Sequence, residues 1–394
     1  MTRRLAEAKR IVIKVGSALL VDEEAGALRG DWLASLARDI AGLRDRGQEV
    51  VLVSSGAMAL GRHQLGLSAR RQKLEEGQAA AAVGQIRLAH AYQESLAGHD
   101  LTVAQLLLTL EDTEERRRYL NARSTVNMLL GLGVVPVINE NDTVATSEIR
   151  FGDNDRLAAR VAQMVSADCL ILLSDVDGLF DSDPGQNPDA RLIPEVRGLT
   201  PKIEAMAGRP KKTGVGSGGM VTKIVAARIA LAAGCRMAII GGTSIGPIGR
   251  FESTGRGTWF LPDGITPRTA RKQWIGGTLN PSGTIVIDDG AVAALARGGS
   301  LLPAGVTNVR GSFERGDAVI VETGDGREVA RGLAAYGAAN AGAIMGHKSD
   351  EIEARLGYRG RDEMIHRDDM VLTQGTGWDA ETQGNPKSGD KGNR

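Results

Sequence analysis

The chain has 394 residues, 42% hydrophobic and 24% charged, which predicts two or three folded domains and excludes a largely disordered chain or a fibre. Its 48 Lys and Arg balance 48 Asp and Glu, so no global electrostatic attraction for nucleic acid or an anionic membrane is expected. Aromatics supply only 3% while glycine supplies 52 residues, a composition suited to α/β proteins with aliphatic cores and many tight turns.

From the N-terminus, Met1-Thr2-Arg3-Arg4 is a weak imitation of a signal n-region, and Glu7, Lys9, Arg10 and Lys14 interrupt anything like an apolar h-region. No apolar run approaches the ~18 residues of a membrane span. Up to about Gly242, short β-branched runs alternate with stretches of helical period, the pattern of βα units around a mainly parallel sheet. The strand candidates are Ile11–Val15, Glu49–Val53, Leu101–Leu107, Val134–Ile138, Cys169–Leu173 and Arg236–Ile240. Leu33, Leu36, Ala37, Ile40 and Leu43 predict a helix, with Asp31 as its N-cap and Gly47 as its stop. Leu157, Val161, Met164 and Val165 predict another, following Gly152-Asp153-Asn154-Asp155, and a third runs from Ile224 to Ala233 and ends at Gly234. Cys169 and Cys235 sit in apolar runs without metal-ligand or CxxC spacing, which predicts buried reduced thiols and a cytoplasmic location.

After about Gly264, Pro262, Pro267 and Pro281 punctuate a basic, polar connection. Short strands follow at Gly283–Ile287, Asp317–Val321 and Glu328–Leu333, with Gly324-Asp325-Gly326 as a hairpin turn. The expected division is a first domain at 1–264, a linker at 265–280, a small β-rich domain at 281–372 and a disordered tail at 373–394.

In open parallel sheets ligands bind at the carboxyl ends of strands, so the residues following each strand matter most. Lys14 lies inside an apolar strand just before Gly16-Ser17-Ala18, where it needs an anionic partner or a wet cavity; it is either a phosphate clamp or a lysine that snorkels from the strand edge. Ser54-Ser55-Gly56-Ala57 would let backbone N–H groups approach an anion, or is an ordinary βα turn. Asn139-Glu140-Asn141-Asp142 could bind an ammonium group, or is a capped loop. Gly152-Asp153-Asn154-Asp155 carries more polar groups than capping requires, and its aspartates could orient lysines or a metal. Gly214 to Lys223 is a glycine-rich loop bringing a lysine to a helix N-terminus, an attractive phosphate site with a surface loop as the plain alternative. It is not a Walker A loop, because GxxxxGK[ST] occurs nowhere. Two lysines, intervening carboxylates and glycine-rich turns form a coherent phosphoryl-transfer constellation, with none of the five histidines in or beside it.

With Val12-Ile13-Lys14-Val15-Gly16-Ser17, Ser54-Ser55-Gly56-Ala57, Pro136 to Asp142, Phe151 to Asp155 and Ser217 to Lys223 in this order, the chain resembles the amino acid kinase family, specifically its glutamate-phosphorylating branch. The resemblance runs to about Leu372, because Ser300 to Val306 and Phe313 to Asp317 look like a PUA domain. It implies an open, mainly parallel sheet sandwiched by helices and followed by a small β-rich PUA-like domain. It also implies ATP-dependent phosphorylation of the L-glutamate γ-carboxylate, the first step of proline biosynthesis. Lys14 and Lys223 would stabilise the transferring phosphoryl group, with Asp155 organising their ammonium groups; Ser55, Gly56, Asp142 and Asn154 would hold glutamate. Lys14, Gly16, Ser174, Asp175, Ser217, Gly218, Gly219, Met220, Val221, Thr222 and Lys223 would line the ATP site. Serine stands at 174 and 217 where threonine is frequent in the family, which preserves the hydroxyl.

The resemblance further implies Mg²⁺ held mainly by nucleotide phosphates and water, feedback inhibition by proline and a homo-oligomer, dimer or tetramer. The acceptor carboxylate, with an ordinary pKa of about 4.3, is already ionised at neutral pH and needs no general base. Other amino acid kinases acting on aspartate, N-acetylglutamate, carbamate or UMP are the nearest competitors. An RNA-binding regulator is the alternative of a different class, but residues 281–372 carry 10 basic against 14 acidic side chains, so no nucleic-acid partner is expected.

Overall fold

The computed structural model describes residues 3–22, 24–67, 73–145, 154–208, 219–264, 266–267, 269–270 and 281–373. The chain divides into two compact units, 1–270 and 271–394. Most of the expected 265–280 connection lies outside the described residues.

The first unit is built on an eight-stranded sheet. In chain order its elements are β1 (Arg10–Val15), a small hairpin of β2 (Val21–Asp22) and β3 (Ala27–Leu28), β4 (Glu49–Ser54), β5 (Val103–Leu108), β6 (Val135–Glu140), β7 (Cys169–Ser174), β8 (Glu195–Arg197), β9 (Arg236–Gly241) and β10 (Gly257–Leu261). The sheet order is β5-β6-β4-β1-β7-β9-β10-β8, parallel except where β10 runs antiparallel to β9. All six predicted strands are present within two residues of their expected bounds. The short β8 and the antiparallel β10 were not anticipated: three residues give no readable period, and Trp259 and Phe260 on β10 alternate between two cores rather than between core and solvent.

That two-sided burial organises the unit. On β1, Ile11, Ile13 and Val15 enter one core while Val12 enters the other, so Lys14 shares the face of Val12. The helices Asn154–Met164 and Met220–Ala232 cover this second face with Leu157, Ala158, Val161, Ile224, Ala227 and Ala230. The first face is covered by Gly30–Asp45 and Leu74–Ala97.

Two helix starts differ from expectation. Asp31 is not the N-cap: the helix begins at Gly30, Arg29 holds the cap position, and Leu33 N–H closes the first turn onto the Arg29 carbonyl. Asp31 instead places its negative charge in the first turn, where the helix dipole favours it. Gly47 ends this helix as expected, at φ 75°, donating to the Arg44 carbonyl. The third predicted helix begins at Met220, four residues before Ile224, so Lys223 lies inside its first turns.

The second unit contains a five-stranded sheet of β11 (Gly283–Ile287), β12 (Val306–Gly311), β13 (Ala318–Thr323), β14 (Glu328–Leu333) and β15 (Met370–Leu372), ordered β12-β11-β13-β14-β15. β13 and β14 form the predicted hairpin, with Gly326 at φ 87° in its turn. Thr373, assigned to the tail, is ordered: its N–H donates to the Val329 carbonyl. The remainder of the tail lies outside the described residues.

Candidate active site

The sheet order places β1 between β4 and β7, where the chain changes its winding direction. The crevice outside the carboxyl ends of strands at such a point is the natural ligand site of an open α/β sheet. Lys14 reaches it from β1, Asp155 from the first turn of Asn154–Met164, and Lys223 from Met220–Ala232. Lys14 Nζ stands 2.7 Å from Asp155 Oδ1, and Lys223 Nζ stands 3.1 Å from Asp155 Oδ2. Thr222 Oγ1 lies 2.8 Å from the same Oδ2 and 2.8 Å from the Gly219 carbonyl.

All three charged groups are buried. Burial alone would raise the Asp155 carboxyl pKa, but the ammonium charges of Lys14 and Lys223, with hydrogen bonds from Lys14 and Thr222, outweigh it and hold the group well below the usual range. Two ammonium groups on one carboxylate leave one positive charge in excess. A buried cluster with that sign needs an anion from outside, and two lysines sharing one carboxylate are pre-oriented to receive it.

The space beside the triad is kept open. A Cβ on Gly16 would stand 3.7 Å from Lys14 Nζ, and one on Gly219 would meet nothing within 4 Å. Gly219 is the N-cap of the helix that Met220 opens, so the N–H groups of Met220 and Val221 have no carbonyl partner within that helix. Ser174 ends β7 and directs its hydroxyl to Asp175 Oδ1 at 3.1 Å, with Asp175 exposed at the strand end. Ser217 and Gly218 lie outside the described residues, as do Gly152 and Asp153. Among the described residues, no group of three or more His, Cys, Asp or Glu could hold a metal ion. The lysine-rich donor set suits the phosphates of a metal–nucleotide complex rather than a bare cation.

Beside the triad lies a neutral network. Asn154 is not a cap but the first residue of its helix, and its Nδ2 lies 2.6 Å from Ser55 Oγ, 3.1 Å from the Ser54 carbonyl and 3.1 Å from Asn139 Oδ1. Gly56, at φ 105°, starts the next helix in the left-handed conformation, as a glycine allows. Asn154 Oδ1 is buried without a hydrogen-bond partner among the described residues. Asp142 is half-buried near the end of β6, and burial raises its pKa to about 6, with no cation among the described residues offsetting the effect. Among the described residues, then, Asn154 Oδ1 is an acceptor without a donor and Asp142 a carboxylate without a cation, groups that suit a positively charged donor.

Sequence reasoning missed Gln85 and placed Asn139 only within a polar cluster that could bind an ammonium group or form a capped loop. Asn139 Nδ2 donates to Gln85 Oε1 at 2.7 Å, and Asn139 Oδ1 accepts the Glu140 N–H at 2.9 Å. The missed signal was periodic: Gln85 falls on the buried stripe of Ala81, Leu88, Tyr92 and Leu96, where a polar side chain calls for a partner.

The description "Amino acid kinase family" matches residues 9–241, well over half of the chain, and "PUA domain" matches residues 283–356. The chain belongs to the amino acid kinase family. Among curated relatives, the glutamate 5-kinase of Paramagnetospirillum magneticum is 65% identical over 93% of this chain and 99% of its own length. The glutamate 5-kinase of Rhodospirillum rubrum is 60% identical over 92% of this chain and 96% of its own. A solved carbamate kinase from Giardia lamblia, bound to AMP-PNP, is 18% identical over 66% of this chain and 100% of its own, with a TM-score of 0.46.

Proposed function

We propose that this chain transfers the γ-phosphoryl group of ATP to the γ-carboxylate of L-glutamate, releasing ADP and L-glutamyl 5-phosphate, the opening reaction of proline biosynthesis. The observation that carries the reading is the grip of Asp155 on both Lys14 and Lys223. A carboxylate nucleophile approaching a polyanionic nucleotide meets like-charge repulsion, which two ammonium groups and Mg²⁺ offset while an in-line approach is held. Mg²⁺ bound to the nucleotide would supply further positive charge at the phosphates, beside the ammonium groups of Lys14 and Lys223. Gly16, Ser174, Asp175 and the described residues Gly219 to Lys223 line the nucleotide side; Ser217 and Gly218, assigned to the same loop by sequence, lie outside the described residues.

Ser55, Gly56, Asp142 and Asn154 hold glutamate on the other side. An acceptor at Asn154 and a carboxylate at Asp142, neither partnered among the described residues, favour an acceptor with a free α-ammonium over carbamate, UMP or an N-acetylated amino acid. Curated relatives at 55–65% identity, all named glutamate 5-kinase, support the same substrate. Proline as feedback inhibitor, a dimer or tetramer and a cytoplasmic setting, consistent with the free buried Cys169 and Cys235, complete the proposal. No described helix is long and apolar enough to cross a membrane.

The test is ADP release from Mg-ATP across L-glutamate, L-aspartate, N-acetyl-L-glutamate, carbamate and UMP, with hydroxylamine trapping any acyl phosphate as a hydroxamate. Glutamate-dependent hydroxamate, lost in Lys223→Ala, is the expected result. Folded protein silent with every acceptor would overturn the reading.

A further inference from the structure

We infer that Gln85, on the helix Leu74–Ala97 and outside every segment assigned above to substrate or nucleotide, is a positioning residue that sets the amine-recognising face of Asn154 through Asn139. This rests on the proposal that Asn154 contacts glutamate.

The argument follows donors and acceptors along a buried row. A backbone N–H can only donate, so the Glu140 N–H fixes Asn139 with Oδ1 toward its own backbone and Nδ2 away from it. Asn139 Nδ2 then requires an acceptor, and Gln85 Oε1 supplies it at 2.7 Å. Asn139 Oδ1 also accepts from Asn154 Nδ2 at 3.1 Å. With Nδ2 committed to Asn139, Ser54 and Ser55, Asn154 must present Oδ1 as its free atom. An acceptor-only atom left unpaired in a buried site selects a donor, which on glutamate is the α-ammonium, and rejects a carboxylate.

Gln85 is held at the depth this requires. Neighbouring Gly84 lies so close to the helix Ala57–Gln64 that a Cβ there would fall 1.8 Å from the Ala57 carbonyl oxygen, and Gly61 meets Ala80 in the same way at 1.7 Å. The two helix backbones therefore touch, and Gln85 is carried into the row beside Asn139. Its own Nε2 is buried without a partner among the described residues, so the side chain is retained for one well-formed bond. Without Gln85, the Asn139 amide would have a buried donor to satisfy and would turn toward another acceptor, loosening Asn154.

Steady-state kinetics of the full chain with Mg-ATP, L-glutamate and hydroxylamine test this, using Gln85→Met, which keeps the volume but removes the acceptor, and Gln85→Glu, which restores one. The expected result for Gln85→Met is a glutamate KM raised about tenfold, with kcat and the KM for ATP within about twofold of the parent. Glutarate, which lacks the ammonium, should compete with glutamate equally well in parent and variant, and Gln85→Glu should recover part of the lost glutamate KM. A glutamate KM unchanged in Gln85→Met, or a loss shared equally by glutarate, would overturn the inference while leaving the substrate assignment intact. Should Gln85→Met fail to fold, a Gln85→Glu glutamate KM more than tenfold above the parent, with glutarate inhibition weakened in proportion, would equally overturn it. A parent protein with no glutamate-dependent turnover would remove the substrate assignment and this inference together.

Discussion

On the proposed nucleotide side of the site Asp155 binds two ammonium groups, whereas on the proposed acceptor side Asn154 is fixed by a serine, a backbone carbonyl and a second asparagine. The two residues are adjacent in sequence and open the same helix, yet they work by different physics. Charge attraction falls slowly with distance, so the triad can hold its grip while phosphates enter and shift. Amide hydrogen bonds weaken steeply with angle, so the neutral network discriminates between donor and acceptor but tolerates little displacement. Transfer of a highly charged group needs the first property, and recognition of one small amino acid needs the second.

The sharpest way to break this comparison is to remove charge from the triad. Lys223→Ala is expected to lower kcat about 10³-fold with modest change in glutamate KM, read by hydroxamate formation, because its positive charge is needed most as the phosphoryl group transfers. Asp155→Ala should cost stability as well as rate, about 3–5 kcal/mol by chemical denaturation, since it leaves two buried ammonium groups without their carboxylate. The pH dependence has a definite sign. The folded Asp155 carboxyl lies below its ordinary value of 3.8, so its stabilising contribution is fully present above that value and is lost as pH falls through the lower, folded-state value. The stability gap between parent and Asp155→Asn should therefore be constant from pH 7 to about pH 5 and narrow toward pH 3.

Of the four residues proposed to hold glutamate, Ser55, Gly56, Asp142 and Asn154, Asp142 carries the charge, and its behaviour separates the two halves by pH. Burial raises its pKa to about 6 in the absence of ligand. It must ionise to pair with an ammonium group, so kcat/KM for glutamate should fall about tenfold per pH unit below that value while the KM for ATP stays level. Asp142→Asn should raise the glutamate KM by roughly 10- to 100-fold at pH 7.5 and remove the acid limb from the profile. An acid limb that persists in this variant would assign the titration to another group. Before ligand arrives, the raised value means that stability declines as pH rises through it, the opposite sign to Asp155.

How much of this was legible in the sequence follows the same division. Lys14 stood out because an ammonium inside Ile-Val-Ile-Lys-Val needs an anion, a wet cavity or a strand edge to snorkel from, and Lys223 because a glycine-rich run delivers it to a helix. The six predicted strands were readable from their buried runs, whereas β8 is too short to carry a period and β10 feeds two cores at once. Asn154 and Asp155 were assigned to a segment before the helix, because their side chains serve distant partners rather than the cap that a local reading provides. The buried stripe marks Gln85 as needing a partner but does not name it: Asn139 lies 54 residues away on a strand, and only folding creates that pairing.

A smaller effect should come from Gly84→Ala, which tests whether the acceptor side depends on the depth of its supporting helix. The added methyl would fall 1.8 Å from the Ala57 carbonyl oxygen, so the two helices must separate. Overpacking of this kind costs about 1–3 kcal/mol, and the Ser55-Gly56 turn at the head of the displaced helix should move with it. The expected signature is a lowered Tm together with a raised glutamate KM and an unchanged KM for ATP. A lowered Tm with both KM values unchanged would show that the acceptor side tolerates the displacement after all.

The smallest effect belongs to Ser174, on the nucleotide side. Its hydroxyl reaches Asp175 Oδ1 at 3.1 Å, and the Gly242 N–H donates to its carbonyl at 2.7 Å, so the strand end is already tied down by backbone. Ser174→Thr keeps the hydroxyl and adds a methyl, and should change the KM for ATP by less than about twofold; Ser174→Ala removes the hydroxyl and should raise it about 3- to 10-fold. A side governed by long-range charge should absorb the methyl. If Ser174→Thr instead raised the KM for ATP more than tenfold, the nucleotide wall would be as intolerant of displacement as the amide row, and the contrast between the two halves would fail there.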